Sequence, residues 1–256
     1  DGIGEVTLLG QTVNSYNDGE HDFGDLLRAV GAVSGVRRVR FTSPHPNDFS
    51  ERVIAAMAEV PAVCEHVHLP MQSGSTRVLK RMLRRYSREQ YMETVARLRQ
   101  AIPNISLTTD IIVGFPGETE ADFDETVTAV REVGFDDAFT FKFSPREGTP
   151  ATRLPAADTI EEPVASSRLA RLIGVVRSVA RERNLTLLGQ RREVLVEKSA
   201  KRGELLQSRT RDHKTVLIPG DETMIGRYLT VELTGTTGST FLGAPVTERV
   251  SLPMAG

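Results

Sequence analysis

Thr108-Thr109-Asp110-Ile111-Ile112-Val113-Gly114-Phe115-Pro116-Gly117-Glu118-Thr119 is the stretch on which the reading of the fold turns. The β-branched run Ile111 to Val113 ends on Gly114, Pro116-Gly117 makes a turn, and Glu118-Thr119 opens a helix with apolar positions at Phe123, Val127 and Val130. A strand feeding a helix through a tight glycine-bearing loop is the unit of a parallel α/β sheet. Ligands in such sheets sit at the carboxyl ends of the strands. Gly114 and Gly117 let a ligand approach the backbone closely, and Asp110 places a polar group within the strand. Both glycines are also open to a role in chain geometry alone, so the stretch marks a site and leaves its ligand open.

The same unit recurs upstream and downstream. Val6 to Leu9 is a short strand ending at Gly10-Gln11, followed by a helix from Phe23 to Val33. Val39 to Thr42 is a second strand, closed by Ser43-Pro44-His45-Pro46, with Asp48 or Ser50 as the cap of the next helix. His66 to Leu69 is the third strand; Ser75 is expected to cap a basic helix from Thr76 to Arg85, and Ser87 another from Arg88 to Gln100. Ala138 to Phe143 is the fifth. Five strands, each but the last followed by a helix, predict a parallel α/β sheet or barrel with right-handed crossovers. Gln11, Ser43 to His45, Gln72-Ser73, Gly114 to Glu118 and Ser144 to Arg146 then fall on one rim.

Beyond a proline-rich stretch (Pro150, Pro155, Pro163), a long helix is expected from Glu161 to Leu188, with Leu169, Leu172, Ile173, Val176 and Val179 as a packing stripe. From Arg191 the hydrophobic period becomes two. Candidate strands are Glu193–Glu197, Leu205–Thr210, Thr215–Ile218, Tyr228–Leu233 and Phe241–Val246, punctuated by Gly203, Pro219-Gly220, Gly226 and Gly235 to Gly238. Five short strands in this span predict a small closed all-β barrel of the nucleic-acid-binding kind. The expected domains are 1–187 and 188–250.

Composition is that of an ordinary globular chain, 39% hydrophobic and 26% charged over 256 residues, without an apolar run of membrane-spanning length. A cytoplasmic setting is the simplest reading. Its net charge of −2 argues against nucleic acid, but the distribution does not. Between Arg77 and Arg99 eight basic residues face two acids, and from Lys198 to Lys214 six face Glu204 and Asp212. Such patches bind phosphates whatever the total charge, or else are solvated helix faces. A single cysteine, Cys64, excludes an internal disulfide and a thiolate metal cage made by this chain alone. His66 and His68 share a strand face, but no third ligand accompanies them, so packing or substrate contact is the better reading and no metal is expected. His45 reads either as a loop residue or as part of the site.

Leu9-Gly10-Gln11-Thr12-Val13-Asn14-Ser15-Tyr16, His68-Leu69-Pro70-Met71-Gln72-Ser73-Gly74-Ser75, Thr108 to Thr119 and Phe143 to Ala151 together resemble the radical S-adenosylmethionine methylthiotransferases. The resemblance covers nearly the whole chain. It is strongest to the branch that adds a methylthio group to isopentenylated adenosine beside a tRNA anticodon, and the tail resembles that family's RNA-binding TRAM barrel. The resemblance implies S-adenosylmethionine and two [4Fe-4S] clusters as cofactors and the tRNA anticodon stem-loop as partner. One cluster cleaves S-adenosylmethionine to a 5′-deoxyadenosyl radical that abstracts hydrogen from C2 of the adenine. A second cluster supplies sulfur, and a second S-adenosylmethionine the methyl group.

The chain departs from the family in lacking the Cys-x3-Cys-x2-Cys motif, and Cys64 matches no cluster ligand. It is therefore expected to be a carboxy-terminal part, inactive alone, with an incomplete parallel α/β barrel of the radical-SAM type, the first barrel strand and the amino-terminal domain lying upstream of Asp1. The resemblance assigns Gln11 to the cofactor's amino group, Gln72 and Ser73 to its ribose hydroxyls, Arg84 to its carboxylate, and Asp110 to Gly114 to the adenine. In the tail Arg209, Arg211 and Lys214 flank a turn suited to RNA phosphates, with His213 where the family commonly has Asn. The sibling branch that modifies a ribosomal-protein aspartate and a non-catalytic RNA-binding remnant are the alternatives. Ser73-Gly74-Ser75 and the His45 loop favour tRNA.

Overall fold

The structure, a computed structural model, describes residues 2–200 and 204–246; Gly203 and residues 247–250 of the expected second domain lie outside them. The chain divides into two compact units, Asp1–Ala180 and Arg181–Gly256.

In the first unit β1 (Glu5–Leu8), β2 (Arg38–Phe41), β3 (His66–His68), β4 (Ser106–Val113) and β5 (Asp137–Lys142) run parallel. β1 pairs with β2, and β3, β4 and β5 pair in that order. A bridge between Val39 and Val63 joins the two sheets: Val39 N–H donates to the Ala62 carbonyl (2.7 Å) and Cys64 N–H to the Val39 carbonyl (3.0 Å). The result is the wall of an incomplete barrel. One face is dry. Val39, Val67, Leu107, Ile111 and Val113 pack there against α1 (Phe23–Gly31), α2 (Glu51–Glu59), α4 (Arg88–Ala101) and α5 (Glu120–Val133) through Phe23, Val53, Tyr91 and Phe123. Side chains alternate along a strand, so the other face carries Arg38, Arg40, His66, His68, Thr108, Asp110, Phe139 and Phe141.

The helices start where side chains can take up free backbone N–H groups. Asp22 with Asp25, Ser87 with Gln90 and Thr119 with Asp122 form capping boxes, and Ser50 caps α2. α5 stops at Gly134, whose φ of 58° a side chain would strain. The helix expected from Thr76 to Arg85 is shorter: α3 spans Thr76–Arg81. Leu83 takes a left-handed φ of 57°, and Arg84 N–H bonds back to the Leu79 carbonyl (2.9 Å), closing the turn. Ser75 precedes α3 without capping it, because its hydroxyl donates to Asp122 instead (2.7 Å). α6 (Glu162–Leu185) sets Leu172 and Val176 into the core, as expected of a packing stripe. Among the described residues no helix is long and apolar enough to cross a membrane.

In the second unit β6 (Arg191–Ser199), β7 (Leu205–Thr210), β8 (Thr215–Pro219), β9 (Tyr228–Thr236) and β10 (Thr240–Pro245) close into a barrel in the order β10-β8-β7-β6-β9. The strands match the period-two segments and extend some of them by two or three residues. Val194, Val196, Leu206, Val216, Ile218, Val231, Leu233 and Phe241 fill the interior. Gly243 is required at the seam, since a Cβ there would stand 2.7 Å from Val216 Cγ1.

Candidate functional site

The loops that leave the strands of the first unit are held together by buried polar groups. Asn14, almost fully buried, ties the loop after β1 to that after β2: its amide donates to the His45 carbonyl (2.9 Å) and accepts the His45 N–H (2.8 Å). Tyr91 donates to the Leu69 carbonyl (2.8 Å), and Tyr86 to the carbonyls of Pro70 and Met71 (3.2 Å each). Burial pushes the Tyr86 hydroxyl up to about 12, so it stays a proton donor. Burial also lowers the His45 imidazole, opposed by Asp48 and reinforced by Arg84 and Arg85, which favours the neutral ring.

Two non-glycine residues on this rim take left-handed backbone: Ser43 (φ 55°) after β2 and Gln72 (φ 67°) after β3. Such strain persists where the surroundings over-determine it. Gln72 is stitched to β4, its N–H donating to the Asp110 carbonyl (2.8 Å) and its carbonyl accepting from Ile112 (2.9 Å). The residue is only 7% exposed, and its side-chain amide makes no hydrogen bond among the described residues. An amide whose donor and acceptor are both free of protein partners is a place for a ligand with hydroxyl groups.

The loop after β4 is clamped from both sides. Gly114 (φ 72°) donates its N–H to the Glu118 carboxylate (2.9 Å), and Glu118 pairs with Arg168 of α6 (2.8 Å), both nearly fully buried. Burial pushes the Glu118 carboxyl up, while the Gly114 N–H and Arg168 pull the other way. From α3, Arg81 donates to the Pro116 carbonyl (2.9 Å) and to Asp158 (2.5 Å), and Arg77 donates to the Gly117 carbonyl (2.6 Å) and pairs with Asp122. So the basic cluster is partly committed to structure: Arg81 holds the loop, Arg88 pairs with Glu132, and Arg84 and Arg85 remain exposed. Ser73 is buried and engaged with Thr126 Oγ1 (3.3 Å).

Burial disfavours the charge of Asp122, but hydrogen bonds from Arg77, Thr119 and Ser75 outweigh it and hold the carboxyl far below its usual range. A carboxyl depressed on folding contributes stability that is full above its unfolded value, about pH 4, and is lost as pH falls further. Melting temperature recorded between pH 2.5 and 6 should therefore fall steeply below pH 4 in the natural chain and less steeply in Asp122→Asn.

On the interior face, His68 faces Asp110 (Nε2 to Oδ1, 3.4 Å) and Thr108 Oγ1 (Nδ1, 3.0 Å), and His66 Nε2 shares that hydroxyl (3.2 Å). Arg40 binds Glu5 through Nε (2.9 Å), and Arg38 lies 3.5 Å from the same carboxylate. Gln11 lies exposed after β1, and Gln72, Asp110 and Gly114 come together around the end of β4. Asn14, Glu118 and Arg168 have site-shaping roles that the sequence reading did not assign. The early signals were Asn14 within the Leu9–Tyr16 segment and the place of Glu118 on the expected rim.

In the tail, Arg209 is held by Glu197 (2.6 and 3.1 Å), Arg211 is half-buried and Lys214 is largely buried at the β7–β8 turn, where His213 has a φ of 67°. Among the described residues, no three His, Cys, Asp or Glu side chains converge to hold a metal. Cys64 is buried in the core at the start of the β3 connection. A [4Fe-4S] cluster is held by several cysteine thiolates and this chain has one cysteine, so its residues do not fit one.

Residues 1–130 match the family model of the radical SAM superfamily, and residues 185–244 match the TRAM domain. With the parallel wall and its polar rim, this settles the class: the chain belongs to the radical SAM superfamily. It is similar to the tRNA-2-methylthio-N(6)-dimethylallyladenosine synthases of Moorella thermoacetica (48% identical) and Alkaliphilus oremlandii (49%), with 91% of this chain covered in each case. It spans 53% and 50% of their lengths, about half of the curated relatives it matches. Coproporphyrinogen III oxidase (HemN) of Escherichia coli, a radical SAM enzyme, superposes with a TM-score of 0.56 at 13% identity, over 96% of this chain and 60% of that one, which supports the fold.

Proposed function

We propose that this chain is the carboxy-terminal part of an enzyme that methylthiolates C2 of N6-isopentenyladenosine beside the tRNA anticodon. The observation that carries the reading is identity of 48–49% over 91% of the chain, through both units, with synthases of that product. The functional division follows the expected limits, 1–187 for the cofactor rim and 188–250 for RNA, in a cytoplasmic setting.

The rim takes S-adenosylmethionine. Gln72 offers its amide to the ribose hydroxyls, Gln11 meets the amino group and Arg84 the carboxylate, a match for its planar fork. Ser73, Asp110 and Gly114 contribute through the backbone that fixes the loops around the adenine. When bound, S-adenosylmethionine supplies the methyl group and the adenosyl moiety of the radical chemistry. No step through an iron-sulfur cluster belongs to the residues of this chain.

The test is binding to an anticodon stem-loop carrying N6-dimethylallyladenosine. Affinity should fall with salt, and Arg211→Ala with Arg209→Ala should flatten the log–log slope by roughly 1–2. Glu197→Gln is included so that no half-buried carboxylate is left without its partner. A slope unchanged by these substitutions removes the tail assignment. A ribosomal-protein segment bearing the target aspartate should not compete, and competition would favour the sibling branch.

A further inference from the structure

The interior face of β3, β4 and β5 combines groups that a closed protein core does not keep together. Phe139 and Phe141 are 59% and 50% exposed, although each occupies a strand position whose registered neighbour, Asp110 or Ile112, is half-buried. The two rings stand on one side of β5, two residues and roughly 7 Å apart along the strand. Beside them is the imidazole–carboxylate pair His68–Asp110, and the His68 ring meets Phe139 edge-on, with centroids 5.9 Å apart. Two exposed aromatic rings bordered by a donor–acceptor pair suit a flat ligand with π-faces and a polar edge. A second protein surface would leave the pair to be desolvated for no return.

We infer that Phe139 and Phe141 form a platform for the target adenine, with His68 and Asp110 reading the polar edge of the base. This rests on the tRNA-modifying function proposed above and deepens it, because it names the residues that recognise the base within the RNA. The base lies across the rings and the dimethylallyl group extends toward Ile112. Stacking of a base on an aromatic side chain tolerates any base, so selectivity falls to the edge contacts and the apolar substituent. Asp110 serves both halves of the site: its carbonyl fixes Gln72 on the cofactor rim and its carboxylate faces the interior.

The experiment compares two forms of the anticodon stem-loop binding to this chain, one carrying N6-dimethylallyladenosine and one abasic at the same position. The natural chain should prefer the base-bearing loop by about tenfold or more. Phe139→Ala with Phe141→Ala should abolish that preference, with the loss confined to the loop that carries the base. His68→Gln and Asp110→Asn should reduce it when dimethylallyladenosine is compared with an inosine analogue. Both phenylalanines are exposed, so melting curves should show the variants folded. Equal binding of both loops by the natural chain, or a preference that survives the double substitution, overturns the platform and leaves RNA recognition by the tail standing. Absence of binding to either loop overturns the functional reading as well. Self-association seen by sedimentation and lost in the double variant would reassign the face to a second copy of the chain.

Discussion

Arg168→Ala should destabilise the first unit by about 3–5 kcal/mol, because it leaves the buried carboxylate of Glu118 without its counter-ion. Of the contacts around that carboxylate, the Gly114 N–H would remain. Denaturant titration at pH 7.5 measures the loss. The pair Glu118→Gln with Arg168→Met should recover much of it, since the cost lies in an unpaired buried charge and less in the absence of an ion pair. The variant should also show a steeper pH dependence than the natural chain, because Arg168 no longer opposes the effect of burial on Glu118. A carboxyl whose folded value is raised stabilises fully below its unfolded value and loses that contribution as pH rises through the folded one. Arg168→Ala should therefore be more stable at pH 5 than at pH 7.5, and equal stability at the two would mean that Glu118 finds another partner.

The second large effect is expected at Gly74. A Cβ added there would stand 2.5 Å from Thr126 Cα, 2.8 Å from the Glu125 carbonyl oxygen and 2.9 Å from Thr126 N, all backbone of α5. No rotamer change relieves a clash with a helix backbone, so either α5 or the β3 loop must move. The loop is further pinned by the Gly74 N–H bond to Thr126 Oγ1 (2.9 Å). Gly74→Ala should cost about 3 kcal/mol, at the upper end of overpacking, and lower the melting temperature by roughly 10 °C. Because Gln72 lies two residues away, the same variant should weaken S-adenosylmethionine binding measured by calorimetry. Unchanged melting would show that the loop has slack the packing does not reveal.

The strands and most helix starts were legible because they rest on local chemistry. Ser50, Ser87 and Thr119 cap as their positions suggest, and period-two alternation marked all five strands of the small barrel. The misread end of α3 was local as well, but it depends on Leu83 adopting a left-handed turn that its residue type does not announce. Ser75 illustrates the other limit. A serine before a helix looks like a cap, and its partner Asp122 is 47 residues away. The site is legible as a region and not as a set of roles. Polar loops after parallel strands pointed to the rim, whereas the Glu118–Arg168 clamp and the strained, unpartnered Gln72 arise from packing between distant segments.

The way the small barrel closes has a consequence for synthesis. β10 pairs parallel with β8 and antiparallel with β9, so the last strand seals a gap between two that are made before it. The first unit builds its sheet from strands added at one edge in chain order and can begin to assemble as each leaves the ribosome. The barrel cannot. Until Thr240 to Pro245 has emerged, β8 and β9 each present an unpaired edge of the kind that recruits other chains. Translation stalled or terminated within that interval would yield a chain whose first unit has all its strands and whose second keeps two open edges.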